Sequence, residues 1–314
     1  MKWLAWMTLF SLCFSCLQGD EFQRLEKRLS LQQSYGFGRW CLVPLKDKQL
    51  HAEILEIDKD CVTVRIFDGS LPLSEWPEKT FDLKDIEPMH KQHSKDLESM
   101  ISDLKYTATI QSSEIENAFR KIDRAWFCPR YPYFDASVAL SDGSSISSPH
   151  IYAWALELLK DSFPHAKSVL NVGSGTGYML AIFSHLCPKA KITGIDVSES
   201  LAVKAEKLCI SYLPKNQHNN IKVIVGQGEL GHAKDAPFDI IYVDFMCESI
   251  PPNLVDQLAL EGVMIIPIGN TVSSYDDQFL GGNLYRVKKT NRGSIQVEKI
   301  FPCSFSPSLQ FSAN

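Results

Sequence analysis

The chain has 314 residues, of which 45% are hydrophobic and 22% are charged, and its formal net charge at pH 7 is −5. That length suits about two domains of ordinary size. A weakly acidic chain lacks the basic surface that nucleic-acid binding requires, so we expect no nucleic-acid partner.

Residues 1–19 have the pattern of a secretory signal peptide. Lys2 precedes an apolar run from Trp3 to Leu17, and Gln18-Gly19-Asp20 follows it. The run is too short for a comfortable membrane span, so we expect no integral span beyond this leader. A working leader predicts the secretory pathway or the extracellular space. The alternatives are an uncleaved anchor and an N-terminal core helix of a cytoplasmic protein.

Residues 35–90 have alternating apolar positions in short stretches with turns between them, which predicts a small SH3-like β-barrel. The segment resembles a Tudor domain in its strand order and in the stretch CVTVRIFDGS. That resemblance implies an aromatic cage for methylated side chains, with Trp40, Phe67 and Trp76 as candidates. A barrel this small also needs aromatic residues in its own core, which is the alternative role for them.

Two helix starts are visible before the most distinctive motif of the chain. Ser113 with Glu116 fits a capping box before a helix from Ile115 onward. Ser147 and Ser148 precede Pro149 and an apolar run, so one of them is a candidate N-cap with proline in the first helical position.

The distinctive motif is the glycine-rich stretch LNVGSGTGYML at residues 170–180. Residues 168–172 form an apolar strand pattern, and a helix pattern runs from Tyr178 to Leu186. Glycines in a strand-to-helix turn let the backbone bend sharply and approach a ligand, and the helix N-terminus behind them offers free N–H groups. The motif predicts a nucleotide or nucleoside site, although a tight turn alone would also use glycine.

Further apolar strands alternate with helical stretches after this loop, at residues 191–196, 221–225, 238–243 and 262–268. This alternation predicts an α/β fold with a doubly wound parallel sheet, in which ligands lie at the carboxyl ends of the strands. Asp196 ends the second strand about 20 residues after the loop, where such folds place a carboxylate for ribose hydroxyls. A helix cap is the alternative role for Asp196. The loop lacks the spacing of phosphate cradles, which favours a nucleoside without phosphates, such as S-adenosylmethionine.

Three separated blocks resemble the protein-L-isoaspartate O-methyltransferase family, from about Leu97 to about Leu309. They are IENAFRKIDRAWF (115–127), DGSSISSPHIYAWALELL (142–159) and DAPFDIIYVDFMCESIPPNLVDQLALEGVMIIPIG (235–269). The resemblance implies a Rossmann-like class I methyltransferase domain over residues 97–314. It also implies an enzyme that transfers a methyl group from S-adenosylmethionine to the free carboxylate of isoaspartyl (D-aspartyl) residues in damaged proteins. The ester then collapses to a succinimide, which can reopen to normal aspartate.

Residue roles follow from this resemblance. Ser147 matches the family's active-site serine. The matching cofactor positions are Gly173, Ser174, Gly175, Thr176, Gly177, Asp196, Val197, Gln227 and Gly228. Ser148, His150 and Tyr152 are candidates for substrate binding, although a helix cap or a packing role is the alternative for Ser148 and His150. We expect protein or peptide substrates and a monomeric protein. We expect no metal site.

The sequence also departs from the family pattern around the ligand. Asn171 and Gln227 stand where the family has acids, and Tyr152 stands in place of a histidine. Asp244-Phe245-Met246 replaces a small Gly-Ala-Ala turn, which adds bulk and charge where cofactor and substrate should meet. The alternative function is therefore a methyltransferase-fold interaction protein with a Tudor-like module and altered catalysis.

Overall fold

The computed structural model describes residues 40–45, 48–57, 61–66, 77–82, 87–88, 94–140, 144–218, 220–269, 281–303 and 305. These divide into two compact units, residues 40–66 with 77–88 and residues 94–305, which we describe separately. The predicted leader, Phe67 and Trp76 lie outside the described residues, as does the side chain of Trp40. Within the described part, no helix is long and apolar enough to cross a membrane.

The first unit is a five-stranded antiparallel sheet in the order β4-β3-β2-β1-β5. Its strands are β1 (Trp40–Leu45), β2 (Lys48–Ile57), β3 (Cys61–Ile66), β4 (Glu78–Asp82) and β5 (Glu87–Pro88). In β3 the side chains of Val62, Val64 and Ile66 are buried and alternate with partly exposed neighbours, the period of a half-buried strand. The strand positions therefore match the sequence pattern, whereas closure of the sheet into a barrel stays a prediction.

The second unit is built on a seven-stranded sheet in the order β10-β9-β8-β11-β12-β13-β14. Five neighbouring strands are parallel, and β13 and β14 each pair antiparallel with the strand before them. The strands are β8 (Ser168–Val172), β9 (Lys191–Asp196), β10 (Ile221–Val225), β11 (Phe238–Val243), β12 (Leu258–Gly269), β13 (Gly282–Lys289) and β14 (Ile295–Cys303). A two-stranded ribbon, β6 (Val138–Ala139) with β7 (Ser145–Ile146), precedes this sheet.

Seven α-helices accompany these strands among the described residues. They are α1 (Leu97–Tyr106), α2 (Ser113–Lys121), α3 (Pro149–Leu159), α4 (Tyr178–Leu186), α5 (Glu199–Tyr212), α6 (Lys215–His218) and α7 (Pro252–Gln257). Helix α4 is apolar on nearly every side and is buried from Tyr178 to Ser184, which anchors the glycine loop before it. The doubly wound sheet predicted from the sequence is confirmed.

One local prediction is wrong. The N-cap of α2 is Ser112, and neither Ser113 nor Glu116 forms the expected capping box. Instead the Glu157 carboxylate on α3 accepts hydrogen bonds from the backbone N–H groups of Gln111 and Ser112, both at 2.7 Å, and from Ser112 Oγ at 2.6 Å. The Glu157 carboxylate, from another helix, thus accepts the hydrogen bonds at the start of α2 that the local pattern assigned to Glu116.

The boundary between β8 and β11 is the point where the strand order of the sheet switches. The order in which strands are added to the sheet reverses at β8, because β9 and β10 lie on one side of it and β11, which is parallel to β8, lies on the other. In open α/β sheets a crevice forms at the carboxyl ends of such a strand pair, and ligands bind there. Residues 173–177 follow β8 and Asp244 follows β11, so both lie at this point.

Candidate functional site

The glycine loop adopts a backbone shape that other residues rarely take. Gly173, Gly175 and Gly177 all have positive φ angles, of 76°, 53° and 89°. The N–H groups of Gly173 and Ser174 donate to Ile195 O at 2.8 and 2.9 Å, which ties the loop to the end of β9. The loop leads directly into α4, whose first-turn N–H groups have no partner within the helix.

Asp196 holds the loop from the neighbouring strand. Its Oδ2 accepts from the Gly175 N–H at 2.8 Å, and its Oδ1 accepts from the Ser198 N–H at 2.9 Å. The side chain is nearly buried at the end of β9, and Val197 follows it. Each carboxylate oxygen retains acceptor capacity, so Asp196 can shape the loop and still accept from a ligand hydroxyl.

Gln227 and Gly228 follow β10 and form the outer side of the same region. Gln227 is exposed, whereas a Cβ on Gly228 would lie 2.5 Å from Val172 Cγ1 and 2.9 Å from Phe245 Cε1. Position 228 therefore requires glycine in this packing. The structure brings the predicted cofactor positions from β8, β9 and β10 to one edge of the sheet.

Three hydroxyl groups converge on one carboxylate beside this loop. Ser147 Oγ donates to Asp244 Oδ1 at 2.7 Å, Tyr152 Oη donates to Oδ2 at 2.9 Å, and Tyr242 Oη donates to Oδ1 at 3.2 Å. The Ser147 N–H also donates to Tyr152 Oη at 3.1 Å. Ser147 and Tyr152, both predicted from the sequence, thus belong to one network, and Asp244 is its centre.

The environment of this network shifts its acid–base behaviour. Withdrawal from water raises the pKa of Asp244 to about 6, against the lowering effect of the three hydroxyl donors and of Arg124. Burial also raises the pKa of Tyr152 and of Tyr242 well above the usual value, and the Asp244 charge adds to both shifts. The tyrosines remain neutral donors at physiological pH, and Asp244 titrates close to neutrality.

The other two substrate candidates are held elsewhere. Ser148 is buried as the N-cap of α3, with Pro149 in the first helical position. His150 is buried, its Nδ1 lies 2.8 Å from Asp135 Oδ1, and its ring packs edge-on against Trp154. Neither Ser148 nor His150 lines the cavity between Tyr152 and the glycine loop.

Arg124 is a functional candidate that the sequence analysis did not identify. It is fully buried after α2, and none of its guanidinium nitrogens has a hydrogen-bond partner among the described residues. The guanidinium carbon lies 5.7 Å from the ring centroid of Tyr152 and 5.6 Å from that of Tyr178, within the range of cation–π attraction. The only signal available in the sequence was its place, beside Asp123, between the apolar Ile122 and Phe127.

The residues present fit a nucleoside cofactor by their chemistry, and the Phe245 ring packs close to two of the glycines. The positive-φ glycines and Asp196 form the cradle, and Ser174 Oγ is buried without a partner among the described residues. A Cβ on Gly173 would come within 2.9 Å of Phe245 Cδ1, as one on Gly228 would of Cε1, so the ring lies against both turns.

The cavity that remains beside the loop has a volume of about 10 Å³. That volume is barely enough for one water molecule, whereas a nucleoside cofactor needs a site of several hundred Å³. The cavity beside the loop is therefore smaller than a nucleoside cofactor needs. No group of three or more metal-ligating side chains occurs in the part of the chain that the structure describes.

Comparison with known proteins finds similar methyltransferases. A family model described as "Protein-L-isoaspartate(D-aspartate) O-methyltransferase (PCMT)" matches residues 95–311. Protein-L-isoaspartate O-methyltransferase 2 of Archaeoglobus fulgidus is 34% identical over 192 residues, which cover 59% of this chain and 84% of that protein. Protein-L-isoaspartate O-methyltransferase of Caenorhabditis elegans is 30% identical over 188 residues, which cover 58% of this chain and 84% of that protein.

A solved structure supports the fold. A β-aspartate methyltransferase (PCMT) from Plasmodium falciparum, in complex with S-adenosyl-L-homocysteine, superimposes with a TM-score of 0.59 at 24% identity. The alignment covers 69% of this chain and 99% of that one. At this level of identity the likeness concerns the fold alone.

Proposed function

The chain belongs to the protein-L-isoaspartate(D-aspartate) O-methyltransferase family, and on that premise we propose that it methylates the free carboxylate of isoaspartyl residues in proteins, with S-adenosylmethionine as methyl donor. One observation carries the proposal. The glycine loop, Asp196 and the Ser147 hydroxyl meet at the carboxyl edge of the sheet, where the strand order reverses. The site for the methyl donor and the site for the methyl acceptor are thereby brought side by side.

The cofactor side of the site is assigned as follows. Residues 173–177 would approach the cofactor with their backbone, Asp196 would accept from ribose hydroxyls, and Gln227 would hydrogen-bond the adenine. When bound, S-adenosylmethionine supplies an electrophilic methyl group on a sulfonium. Each of these residues acts by binding and orientation, and none of them needs to exchange a proton.

The acceptor side needs little acid–base chemistry. A peptide carboxyl group has a pKa of about 4, so the acceptor oxygen is already a carboxylate at neutral pH and no general base is required. The protein's task is to align and enclose the reacting groups. Ser147 Oγ already donates to a carboxylate at 2.7 Å, that of Asp244, which shows that its hydroxyl can serve as such a donor.

The direct test is ester formation by the full chain with labelled S-adenosylmethionine and an isoaspartyl peptide at pH 6. We expect base-labile methyl ester with the native chain and a large loss with Ser147→Ala. Ser102→Ala, the same change at an exposed position on α1, is the control and should retain activity. Ester yield that is equal in Ser147→Ala and the native chain would contradict the assigned role of Ser147.

A second function is favoured by the crowding of the site. Phe245 lies against the glycine turns, and Asp244 occupies the hydroxyl donors. A methyltransferase fold that serves only as a binding scaffold, together with a Tudor-like module, would tolerate the position of Phe245 and the hydrogen bonds of Asp244. Isothermal titration with S-adenosylhomocysteine separates the two proposals, since a folded chain without measurable binding would support the scaffold.

Three further proposals concern the leader at residues 1–19, the module at residues 35–90 and the oligomeric state. We propose that the leader directs the chain to the secretory pathway, which the N-terminal sequence of the secreted protein would test. We also propose that residues 35–90 form a Tudor-like barrel and that the protein is a monomer. Sedimentation velocity would test the monomer, and binding of methylated lysine or arginine peptides would test the module.

A further inference from the structure

Asp244 accepts hydrogen bonds from three hydroxyl donors of the proposed methyl-acceptor site. Both of its carboxylate oxygens accept hydrogen bonds, Oδ1 from Ser147 and Tyr242 and Oδ2 from Tyr152. Ser147 is the residue on which the proposed acceptor site is centred. The chain therefore holds one of its own carboxylates where the carboxylate of a substrate would need to bind.

The backbone fixes Asp244 in this place. Its N–H donates to Val172 O at 2.9 Å, which extends the pairing of β11 with β8 up to the glycine loop. The side chain is only partly buried, because it lines the small cavity together with Tyr152 and the loop. The carboxylate is thus both anchored and within reach of a molecule that enters beside the loop.

We propose that Asp244 is the specificity-determining residue of the acceptor site, which admits an acceptor carboxylate only when Asp244 carries a proton that the two groups can share. This inference rests on the proposed methylation of isoaspartyl carboxylates. Two ionised carboxylates at hydrogen-bonding distance repel each other, and such pairs bind one proton between them. A protonated Asp244 instead offers an O–H donor to the incoming carboxylate and releases the Ser147 hydroxyl to it.

The groups that face Asp244 permit such a proton to bind near neutral pH. Tyr152 from α3 and Tyr242 from β11 donate to it, Tyr178 from α4 lines the same cavity, and Arg124 supplies a positive charge. The charge of Arg124 lowers the pKa of Asp244, but withdrawal from water dominates and raises it to about 6. An α-carboxyl group ionises at about 3.5, so between about pH 4 and 6 the acceptor is charged and Asp244 is neutral.

The size of the effect follows from the protonated fraction. With a pKa of about 6, Asp244 is about 90% protonated at pH 5.0 and about 3% protonated at pH 7.5. If only the protonated form binds the acceptor, apparent affinity scales with that fraction. We therefore expect the full chain to bind an isoaspartyl peptide about thirtyfold more tightly at pH 5.0 than at pH 7.5.

The experiment is isothermal titration of the full chain with an isoaspartyl peptide at these two pH values, without a methyl donor. Asp244→Asn removes the charge at nearly constant shape and should abolish the pH dependence, with tight binding at both values. Asp256→Asn removes the same charge at an exposed position on α7 and should keep the thirtyfold ratio. If Asp244→Asn does not fold, equal affinity of the native chain at the two pH values would still refute the inference.

Equal affinity of the native chain at both pH values would overturn the inference, as would a thirtyfold ratio that persists in Asp244→Asn. Ester formation is scored separately. Ester with equal peptide affinity at both pH values would leave the proposed function standing without this role for Asp244. The expected binding pattern without ester would support Asp244 as the specificity residue and refute catalysis. No peptide binding at either pH, together with no ester from the folded chain, would overturn both.

Discussion

Alanine at Gly177 should destabilise the methyltransferase unit much more than alanine at Gly175. Both glycines have positive φ angles, +89° and +53°, so any side chain there incurs a left-handed backbone penalty of about 1–2 kcal/mol. The two positions differ in their neighbours. A Cβ at Gly175 meets nothing within 4 Å, whereas one at Gly177 meets Ala205 Cβ and Cys209 Sγ, both at 3.1 Å.

The contacts at Gly177 cannot relax easily, because the backbone atom Ala205 Cα would also lie only 3.2 Å from the new methyl group. Forcing an extra carbon into a packed interface costs about 1–3 kcal/mol. We therefore expect a loss of unfolding free energy of about 2–5 kcal/mol for Gly177→Ala and of about 1–2 kcal/mol for Gly175→Ala.

Urea unfolding of the full chain, followed by far-ultraviolet circular dichroism, measures both losses from the midpoint and slope. The pair is a matched comparison, since the chemical change is identical and the positions are two residues apart. Equal losses, or a larger loss at Gly175, would refute the claim that contact between the loop and α5 makes Gly177 necessary.

Three further predictions concern the crowded site. Phe245→Ala should bind S-adenosylhomocysteine more tightly than the native chain by isothermal titration, because the ring lies against Gly173 and Gly228; equal or weaker binding would contradict this placement. Arg124→Met removes a cation that lowers the pKa of Asp244, so the midpoint of pH-dependent peptide binding should move to higher pH, and an unchanged midpoint would argue against coupling between the two. The folded state binds the Asp244 proton more tightly than the unfolded state, so the stability from this group is complete below about pH 4 and is lost as pH rises through about 6. Urea unfolding at pH 4.5 and 7.5 should show this loss in the native chain and a smaller one in Asp244→Asn, and identical pH dependence would count against the raised pKa.

Periodicity in the sequence predicts the central sheet closely. The predicted bounds of β8, β9, β10 and β11 coincide with those observed, because buried parallel strands are short apolar runs bounded by turns. The start of β12 differs from the predicted strand at residues 262–268, since α7 ends at Gln257 and β12 already begins at Leu258. Short apolar runs do not by themselves distinguish a strand from a helix.

The site itself is only partly predictable from the sequence. The glycine loop and Asp196 have a spacing that follows from the fold, so a local pattern suffices to find them. The Asp244 network joins Ser147, Tyr152 and Tyr242 across sequence separations of up to 97 residues. Arg124 reaches Tyr152 and Tyr178 in the same way. Contacts of this kind depend on how the sheet and helices pack, and no local pattern encodes them.

The most direct measurement of the central claim compares two peptides that differ only in one linkage. The full chain receives labelled S-adenosylmethionine with an isoaspartyl peptide or with its aspartyl twin at pH 6, and base-labile methyl ester is counted on each. The proposed function predicts ester on the isoaspartyl peptide alone. Equal ester on both peptides, or none on either from a folded chain, would contradict it.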